Sequence, residues 1–334
     1  MIILWKIIFD GKDFQKVVTP DEPLRQGFVK IKPIFYSVCG TDKSIVSGKW
    51  FSRPIALGHE ISGYVVEGSG TDMKGERLEK GDYVALYPNY YCGECIECKY
   101  GNYNACRNKR MIGVREDGGL SEYMIVEPKF LLKLPKDMRE ELGPLVEPTA
   151  VGVHALKKFS DPRRRLVIIG LGGTGSLAYE TAHLLGFSDV TAVEKSDKKL
   201  KIARELGLKV FHSLTEAIDD EPINILDTVG DEKSVAEIES AMDRIPAGSE
   251  IVITGLGSDI LKFHRDVLIR RELTVKGSII YNPSDFIEAS RLLYTHQREY
   301  LRLVTKVEDR LSNLNELKSL ILDDSNIKTV IRIQ

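Results

Sequence analysis

Four of the five cysteines in this sequence fall within one short stretch. They are Cys92, Cys95, Cys98 and Cys106, separated by two, two and seven residues. Such a cluster in a cysteine-poor chain favours thiolate ligands in a reducing compartment over a disulfide framework, which would spread its cysteines along the chain. Four thiolates can complete the tetrahedral shell of a structural zinc ion, which then has no open position for chemistry. An iron–sulfur cluster is the alternative, although the stretch lacks the Cys-Pro ending of the bacterial ferredoxin motif.

A glycine-rich segment offers a second kind of chemistry. Residues 170–175 read GLGGTG and lie between a predicted buried strand and a predicted helix. In a dinucleotide-binding fold the first glycine of GxGxxG allows a tight turn, the second lets the backbone approach a pyrophosphate, and the third lets helix and strand pack closely. The helix that follows presents free N–H groups to that pyrophosphate. The predicted cofactor contacts are Gly170, Gly172, Gly173, Thr174 and Gly175.

Glu194 ends the next predicted strand, where a carboxylate can accept hydrogen bonds from the adenosine ribose hydroxyls. A GxGxxG motif alone also occurs in structural turns, but strand, helix, second strand and acid in this order favour a nucleotide site. Glu194 would repel the 2′-phosphate of NADP, so NAD is the favoured cofactor. Lys195 follows directly and could compensate for that repulsion, which keeps NADP possible.

The elements that must position these residues change character near residue 147. Earlier segments are short alternating strands interrupted by glycine and proline, at 27–38, 60–68, 82–88 and 120–127. Later segments alternate between apolar strands and helices, which indicates a parallel sheet covered on both faces. The last fifty residues contain two helical patterns and a closing strand at 327–333. The sequence therefore predicts an α/β protein in which a Rossmann parallel-sheet coenzyme domain (148–280) is inserted into a β-rich catalytic domain (1–147 and 281–334).

Composition narrows the class of protein. The chain is 43% hydrophobic and 29% charged with a net charge of −2, so it has no excess of basic residues for nucleic acid. No apolar run approaches the roughly 20 residues that a membrane span needs, and the first residues, MIILWKIIF, fit a strand better than a signal peptide. We expect a cytoplasmic protein. Few glutamines beside many charged residues suggest a thermophilic source.

Five motifs, in this order and at these separations, resemble the zinc-containing medium-chain dehydrogenase family. They are CGTD at 39–42, LGHEISG at 57–63, the four-cysteine stretch, EPTAVGVHAL at 147–156 and the glycine-rich segment. The resemblance covers nearly the whole chain and is greatest to the branch of sorbitol, threonine and archaeal glucose dehydrogenases, because Glu147 stands where the best-known alcohol dehydrogenases carry cysteine. It implies a GroES-like fold for the β-rich domain and assembly as a homodimer or homotetramer.

The resemblance also implies a catalytic zinc ion beside the structural one. Cys39, His59 and Glu147 would hold it, and Glu60 would ligate directly or through water and exchange with Glu147. Asp42 would orient His59 and fix its tautomer. Zinc acts in such a site as a Lewis acid, while the nicotinamide accepts hydride.

Further positions concern the substrate and its proton. Thr41 would hydrogen-bond the substrate oxygen and pass its proton outward, but Ser44 stands where the best-known relatives have a relay histidine. Gly40 replaces an arginine that touches the pyrophosphate in those relatives, and Lys328 could supply that charge, although a solvated lysine is the main expectation. Other candidates for the pocket are Trp50, Phe51, Tyr281 and Asn282, and Asp227 is either a residue near the cofactor or a helix cap.

The expected activity is oxidation of a secondary alcohol of a polyol or sugar, or reduction of the matching ketone. L-threonine 3-dehydrogenase and glucose 1-dehydrogenase keep the same kind of zinc site, so the motifs do not separate these substrates. A zinc-bearing relative without catalysis is an alternative of a different class. The intact residues Cys39, Thr41, His59, Glu60 and Glu147 argue against it.

Overall fold

The computed structural model describes residues 3–50, 53–257, 259–310 and 313–333. The chain forms two compact units. The β-rich unit comprises Met1–Pro148, Asn282–Asp324 and Lys328–Gln334, and the parallel-sheet unit comprises Thr149–Tyr281 and Ser325–Ile327. No helix in the described part of the chain is both long and apolar enough to cross a membrane.

The first part of the chain is mainly β structure. Its elements in chain order are β1 (Ile3–Phe9), β2 (Phe14–Pro20), β3 (Val29–Ser37), α1 (Gly40–Val46), β4 (Ile61–Gly68), β5 (Gly70–Thr71), β6 (Arg77–Leu78), β7 (Tyr83–Leu86), β8 (Asn89–Tyr90), α2 (Ile96–Lys99), β9 (Arg110–Met111), β10 (Met124–Val126) and β11 (Leu131–Lys133).

Strands and helices alternate in the middle of the chain. The elements are α3 (Val146–Leu156), β12 (Leu166–Ile169), α4 (Gly173–Leu184), β13 (Val190–Val193), α5 (Asp197–Glu205), β14 (Val210–Phe211), α6 (Leu214–Ala217), β15 (Asn224–Asp227), α7 (Glu232–Ala241), β16 (Glu250–Ile253), α8 (Arg265–Arg270) and β17 (Thr274–Gly277). The remaining elements are α9 (Pro283–Thr295), α10 (Gln297–Leu301), β18 (Val304–Glu308), α11 (Leu314–Leu322) and β19 (Lys328–Arg332).

The parallel-sheet unit has the strand order β14-β13-β12-β15-β16-β17, with every pair parallel. This is the order of a Rossmann fold, as the sequence predicted. The inner strands β12 and β13 are fully buried because successive side chains point to opposite faces and both faces are covered, whereas the end strand β17 is mostly exposed. Ile168 packs in a hydrophobic core cluster with Ala178 of α4 on one face of the sheet. Its neighbours Val167 and Ile169 pack in another hydrophobic core cluster, with Ile238 of α7, on the opposite face.

A mixed sheet organises the β-rich unit. Its strand order is β11-β7-β4-β3-β19-β18, and β10 also pairs with β3. β19 runs antiparallel to β3, with Val330 opposite Ser37, and parallel to β18. The sequence prediction of two helices and one strand in the last fifty residues was wrong in count, because α10 and β18 were missed. β18 has the sequence VTKVE and lies at the end of the sheet, only partly buried, so it carries no strong apolar pattern.

Candidate metal and cofactor sites

The four clustered cysteines lie on the loop that contains α2. Their Sγ atoms are 3.4 Å apart for Cys95 and Cys98, 3.7 Å for Cys95 and Cys106, and 3.6 Å for Cys92 and Cys106. All four ligand atoms lie within 4.8 Å of one another. Tetrahedral zinc with Zn–S bonds of 2.3 Å needs sulfur atoms about 3.8 Å apart. The arrangement fits a single ion held by all four sulfurs.

Backbone N–H groups already favour the ligand form of one of these thiols. The N–H groups of Glu94 and Cys95 lie against the Cys92 sulfur and lower its pKa to about 6. A thiolate is the form that binds a metal ion, so the surroundings of Cys92 favour its role as a ligand.

A second cluster forms where β3 ends and β4 begins. These strands are antiparallel neighbours, with Tyr36 opposite Ile61, so the residues after β3 and before β4 lie side by side. Cys39 follows β3 and is the N-cap of α1, while His59 and Glu60 directly precede β4. The ligand atoms of Cys39, His59 and Glu60 lie within 4.8 Å of one another.

Asp42 faces the ring of His59. Its Oδ2 accepts hydrogen bonds from the Tyr36 hydroxyl at 2.7 Å and from the Cys39 N–H at 3.0 Å, and its Oδ1 lies 3.5 Å from His59 Nδ1. The other ring nitrogen, Nε2, is therefore the one that can bind a metal ion together with Cys39 and Glu60. Burial lowers the pKa of His59, but the negative charges of Asp42 and Cys39 outweigh it, and the pKa lies well above its ordinary value. The surroundings of the imidazole therefore favour positive charge.

The two oxygens of Glu60 have different surroundings. Oε2 accepts hydrogen bonds from Lys328 Nζ at 2.5 Å and from the Ser37 hydroxyl. Oε1 is buried and has no hydrogen-bond partner among the described residues. An unpartnered buried carboxylate oxygen is costly, and a cation bound beside Cys39 and His59 would satisfy it.

Lys328 is buried, with 2% of its surface exposed. Besides Glu60, its Nζ donates to the Val38 carbonyl at 2.9 Å. The expectation of a solvated lysine was therefore wrong. β19 lies beside β3 and places this side chain against Glu60, a long-range pairing that no local pattern in residues 327–333 reveals.

Glu147 and Thr41 stand beside the second cluster. Glu147 is in the first turn of α3 and is buried, and its charge contributes to the raised pKa of His59. Its carboxylate is not among the three ligand groups that lie within 4.8 Å of one another in the described residues. Thr41, in the first turn of α1, is partly buried.

Two aromatic residues were predicted to shape the substrate pocket. Trp50 is 38% exposed, and Phe51 lies outside the described residues.

The glycine-rich segment forms the turn between β12 and α4. Gly170 has φ of +91°, and a Cβ on Gly175 would lie 1.9 Å from the Gly170 carbonyl oxygen, so the fold requires glycine at both positions. A Cβ on Gly172, the N-cap of α4, would meet no protein atom within 4 Å. The protein's own packing does not require this second glycine. The open space beside it fits the close approach of a ligand to the N-terminus of α4.

Glu194 lies against this turn. Its carboxylate accepts hydrogen bonds from the N–H groups of Leu171 at 2.9 Å, Lys195 at 2.8 Å and Ser196 at 2.9 Å. The Lys195 side chain is directed toward α7, where its Nζ lies 2.5 Å from the carboxylate of Glu237. No pattern near either residue in the sequence indicates this ion pair.

The structure assigns local roles to two of the weaker candidates. Asp227 Oδ1 accepts the N–H of Val229 at 3.0 Å, and the N-cap of α7 is Asp231, so the helix-cap interpretation of Asp227 was wrong. Asn282 forms a capping box with Asp285 at the start of α9. Tyr281 is fully buried.

The chain is similar to known proteins over most of its length. Residues 25–136 match the alcohol dehydrogenase GroES-like domain, and residues 173–295 match the zinc-binding dehydrogenase model. Galactitol 1-phosphate 5-dehydrogenase of Escherichia coli (strain K12) is 34% identical over 80% of this chain and 82% of its own. Sorbitol dehydrogenase of Halalkalibacterium halodurans is 29% identical over 83% of each.

A solved structure supports the same comparison. The crystal structure of galactitol-1-phosphate dehydrogenase from Escherichia coli matches with a TM-score of 0.83 at 28% identity, covering 98% of this chain and 99% of that chain. Together these matches confirm the predicted fold class, a GroES-like β-rich domain combined with a Rossmann domain.

Proposed function

Because this chain belongs to the zinc-containing medium-chain alcohol dehydrogenase family, we propose that it is a zinc-dependent, NAD-linked dehydrogenase of polyols or sugars. It transfers hydride between a secondary alcohol, or the matching ketone, and the nicotinamide cofactor. The observation that carries this proposal is the cluster of Cys39, His59 and Glu60, with Glu60 Oε1 left without a described partner. Thiolate, imidazole and carboxylate donors suit an open catalytic zinc site.

The proposed roles follow from the chemistry of the donors. Zinc at this cluster supplies a Lewis acid that favours loss of the alcohol proton, and the nicotinamide supplies the hydride acceptor. Cys39, His59 and Glu60 bind the ion, and Glu147 is the candidate fourth or exchanging ligand. Asp42 keeps the ring of His59 oriented through the facing nitrogen at 3.5 Å. The Thr41 hydroxyl accepts the hydrogen bond of the substrate hydroxyl and relays its proton outward.

A structural zinc ion on the four-cysteine loop is the second part of the proposal. Cys98→Ser is expected to release this ion and to lower the thermal unfolding midpoint, because zinc binding is coupled to folding of the loop. The turnover number of the enzyme that stays folded should change little, since a closed site takes no part in chemistry. Zinc content, the unfolding midpoint and kcat are measured on one preparation.

Glu94→Gln is the matched control, because Glu94 is exposed on the same loop. It should keep the zinc and the stability of the parent protein. If Cys98→Ser retained four-coordinate zinc on this loop and full thermal stability, the structural role would be wrong.

NAD is the proposed cofactor, bound at Gly170 to Gly175 with its adenosine ribose at Glu194. The carboxylate accepts hydrogen bonds from the ribose hydroxyls and repels a 2′-phosphate. Glu194→Ser should therefore shift the preference toward NADP by roughly 1 to 3 kcal/mol, the scale of one charged hydrogen bond. The ratio of kcat/KM for NAD to kcat/KM for NADP measures this shift.

Glu205→Ser provides the control for that substitution, because Glu205 is exposed at the end of α5 and pairs only loosely with Lys201. It should leave the ratio unchanged. An unchanged ratio in Glu194→Ser itself would mean that the ribose is held elsewhere.

The proposed reaction is tested by following NADH production over a panel of substrates. The panel contains polyols, polyol phosphates, aldoses and L-threonine, because relatives named for a polyol phosphate and for sorbitol match this chain. Turnover of a polyol or its phosphate would support the proposal, and turnover of L-threonine or glucose alone would support the corresponding alternative. Binding of two zinc ions and NAD without turnover of any substrate would indicate a non-catalytic member of the family.

The proposal also covers the oligomeric state of the protein and its compartment in the cell. Among the described residues the largely exposed strand β17 is the last strand of the parallel sheet, and an end strand of this kind is suited to pairing with a second copy. We therefore propose a homodimer or homotetramer, which light scattering can distinguish. None of the five cysteines forms a disulfide, which supports a reducing, cytoplasmic location.

A further inference from the structure

Lys195 is the cation nearest in sequence to the carboxylate that would meet the adenosine ribose. It directly follows Glu194, whose side chain is held at the glycine-rich turn by three backbone N–H groups. A lysine at this place can offset the repulsion between Glu194 and a 2′-phosphate, provided that its charge is available. Whether the site discriminates between NAD and NADP therefore depends on what Lys195 Nζ contacts.

Its partner is Glu237, a carboxylate that is anchored from two sides. Glu237 lies on α7 and is only 6% exposed. One oxygen, Oε1, accepts the N–H of Leu214 at 2.5 Å, where α6 begins, and the other, Oε2, lies 2.5 Å from Lys195 Nζ. Since the carboxylate is buried and fixed by α6, the half-exposed lysine is the member of the pair that is drawn to its partner.

We propose that Glu237 determines the preference for NAD over NADP by neutralising Lys195 and holding it away from the adenosine 2′ position. This inference rests on the proposed nicotinamide-dependent function. With Lys195 bound to Glu237, a 2′-phosphate meets the Glu194 carboxylate without a compensating charge from this lysine. The ribose hydroxyls of NAD need only the acceptor oxygens of Glu194, so NAD is not affected by the pair.

Glu237→Gln tests this proposal because it breaks the ion pair and keeps the anchor. The amide oxygen of glutamine can still accept the Leu214 N–H, while the amide NH2 group faces Lys195 Nζ and can no longer attract it. We expect the Kd for NADP to fall roughly tenfold, the scale of one charge-assisted contact, and the Kd for NAD to change less than about twofold. Isothermal titration calorimetry of the zinc-loaded enzyme with each cofactor gives both values, and kcat/KM with each cofactor gives a second readout.

Two further variants separate the proposed cause from a general change of charge. Glu239→Gln removes the same charge from the same helix, where Glu239 accepts the Lys262 N–H at 2.9 Å, and should not alter the Kd for NADP. Lys195→Met should leave the Kd for NADP within about twofold of the parent value, because in the parent enzyme Glu237 already keeps this lysine away from the 2′-phosphate. In the Lys195→Met background, Glu237→Gln should then have no effect, as a double-mutant cycle requires when one residue acts through the other.

The NADP affinities of these variants either support or overturn the proposed role of Glu237. Tighter NADP binding in Glu237→Gln that disappears in the double variant supports the proposal. Unchanged NADP binding in Glu237→Gln, equal tightening in the Lys195→Met background, or a parent enzyme that binds NADP as tightly as NAD would overturn it. If Glu237→Gln fails to fold, Lys195→Met decides alone, since a loss of NADP affinity there would place the lysine on the phosphate. A parent enzyme that binds neither cofactor would instead overturn the proposed function.

Discussion

His59→Ala is expected to abolish turnover while the fold, the structural zinc and NAD binding persist. His59 is the imidazole donor of the second cluster, and without it only the thiolate of Cys39 and carboxylates remain there. Lewis-acid assistance by a bound metal ion contributes several kcal/mol to reactions of this kind, so kcat should fall by about three orders of magnitude or more. NAD should still bind, because Gly170 to Gly175 and Glu194 belong to the parallel-sheet unit.

Metal analysis, cofactor titration and steady-state kinetics on one preparation measure the three expectations together. His264→Ala serves as the control, because it removes an exposed imidazole from the parallel-sheet unit. It should keep two zinc ions and normal turnover. Near-normal turnover of His59→Ala with both zinc ions retained would falsify the proposed role of the second cluster.

In the zinc-free protein, Lys328→Met is expected to destabilise the β-rich unit by about 3 to 5 kcal/mol, the cost of removing one partner of a buried ion pair. Both side chains of the pair are only 1% exposed, so the Glu60 charge left behind cannot be solvated. Tryptophan fluorescence during guanidinium denaturation measures this loss selectively. The two tryptophans of the chain, Trp5 and Trp50, both belong to the β-rich unit.

A surface ion pair in the same unit gives the comparison. Lys318 lies 2.8 Å from Asp13, with side chains 31% and 49% exposed, and Lys318→Met should cost no more than about 1 kcal/mol. Adding Glu60→Gln to Lys328→Met should recover part of the stability, because the uncompensated charge is gone. Unfolding of Lys328→Met at the same denaturant concentration as the parent would contradict the importance of the buried pair.

Local patterns in the sequence were sufficient for much of the parallel-sheet unit. The runs that form β12, β13 and β15 are short and buried on both faces, and GxGxxG lies between a strand and a helix, so both could be predicted from residue type and order alone. Glu194 was predicted to end the second of these strands, and the structure places it against the glycine-rich turn.

Features that depend on distant parts of the chain could not be predicted in this way. Lys328 looks like any lysine in an alternating strand until β19 is placed beside β3. The pairing of Lys195 with Glu237 likewise requires the packing of α7, and nothing near either residue in the sequence indicates it. The capping box of α1 was missed because its N-cap is Cys39, a residue type that is uncommon at that position.

The place of β19 in the mixed sheet has a consequence for how the protein is made. Val330 of β19 lies opposite Ser37 of β3. During synthesis β3 therefore leaves the ribosome long before its neighbour β19 has been made. The parallel-sheet unit lies almost wholly between them and can fold first. At a typical elongation rate this interval lasts roughly 15 to 60 s. During that time β3 lacks its β19 neighbour and Glu60 lacks its lysine, so the unpaired part of the β3 edge is a site at which the nascent segment can pair with another chain.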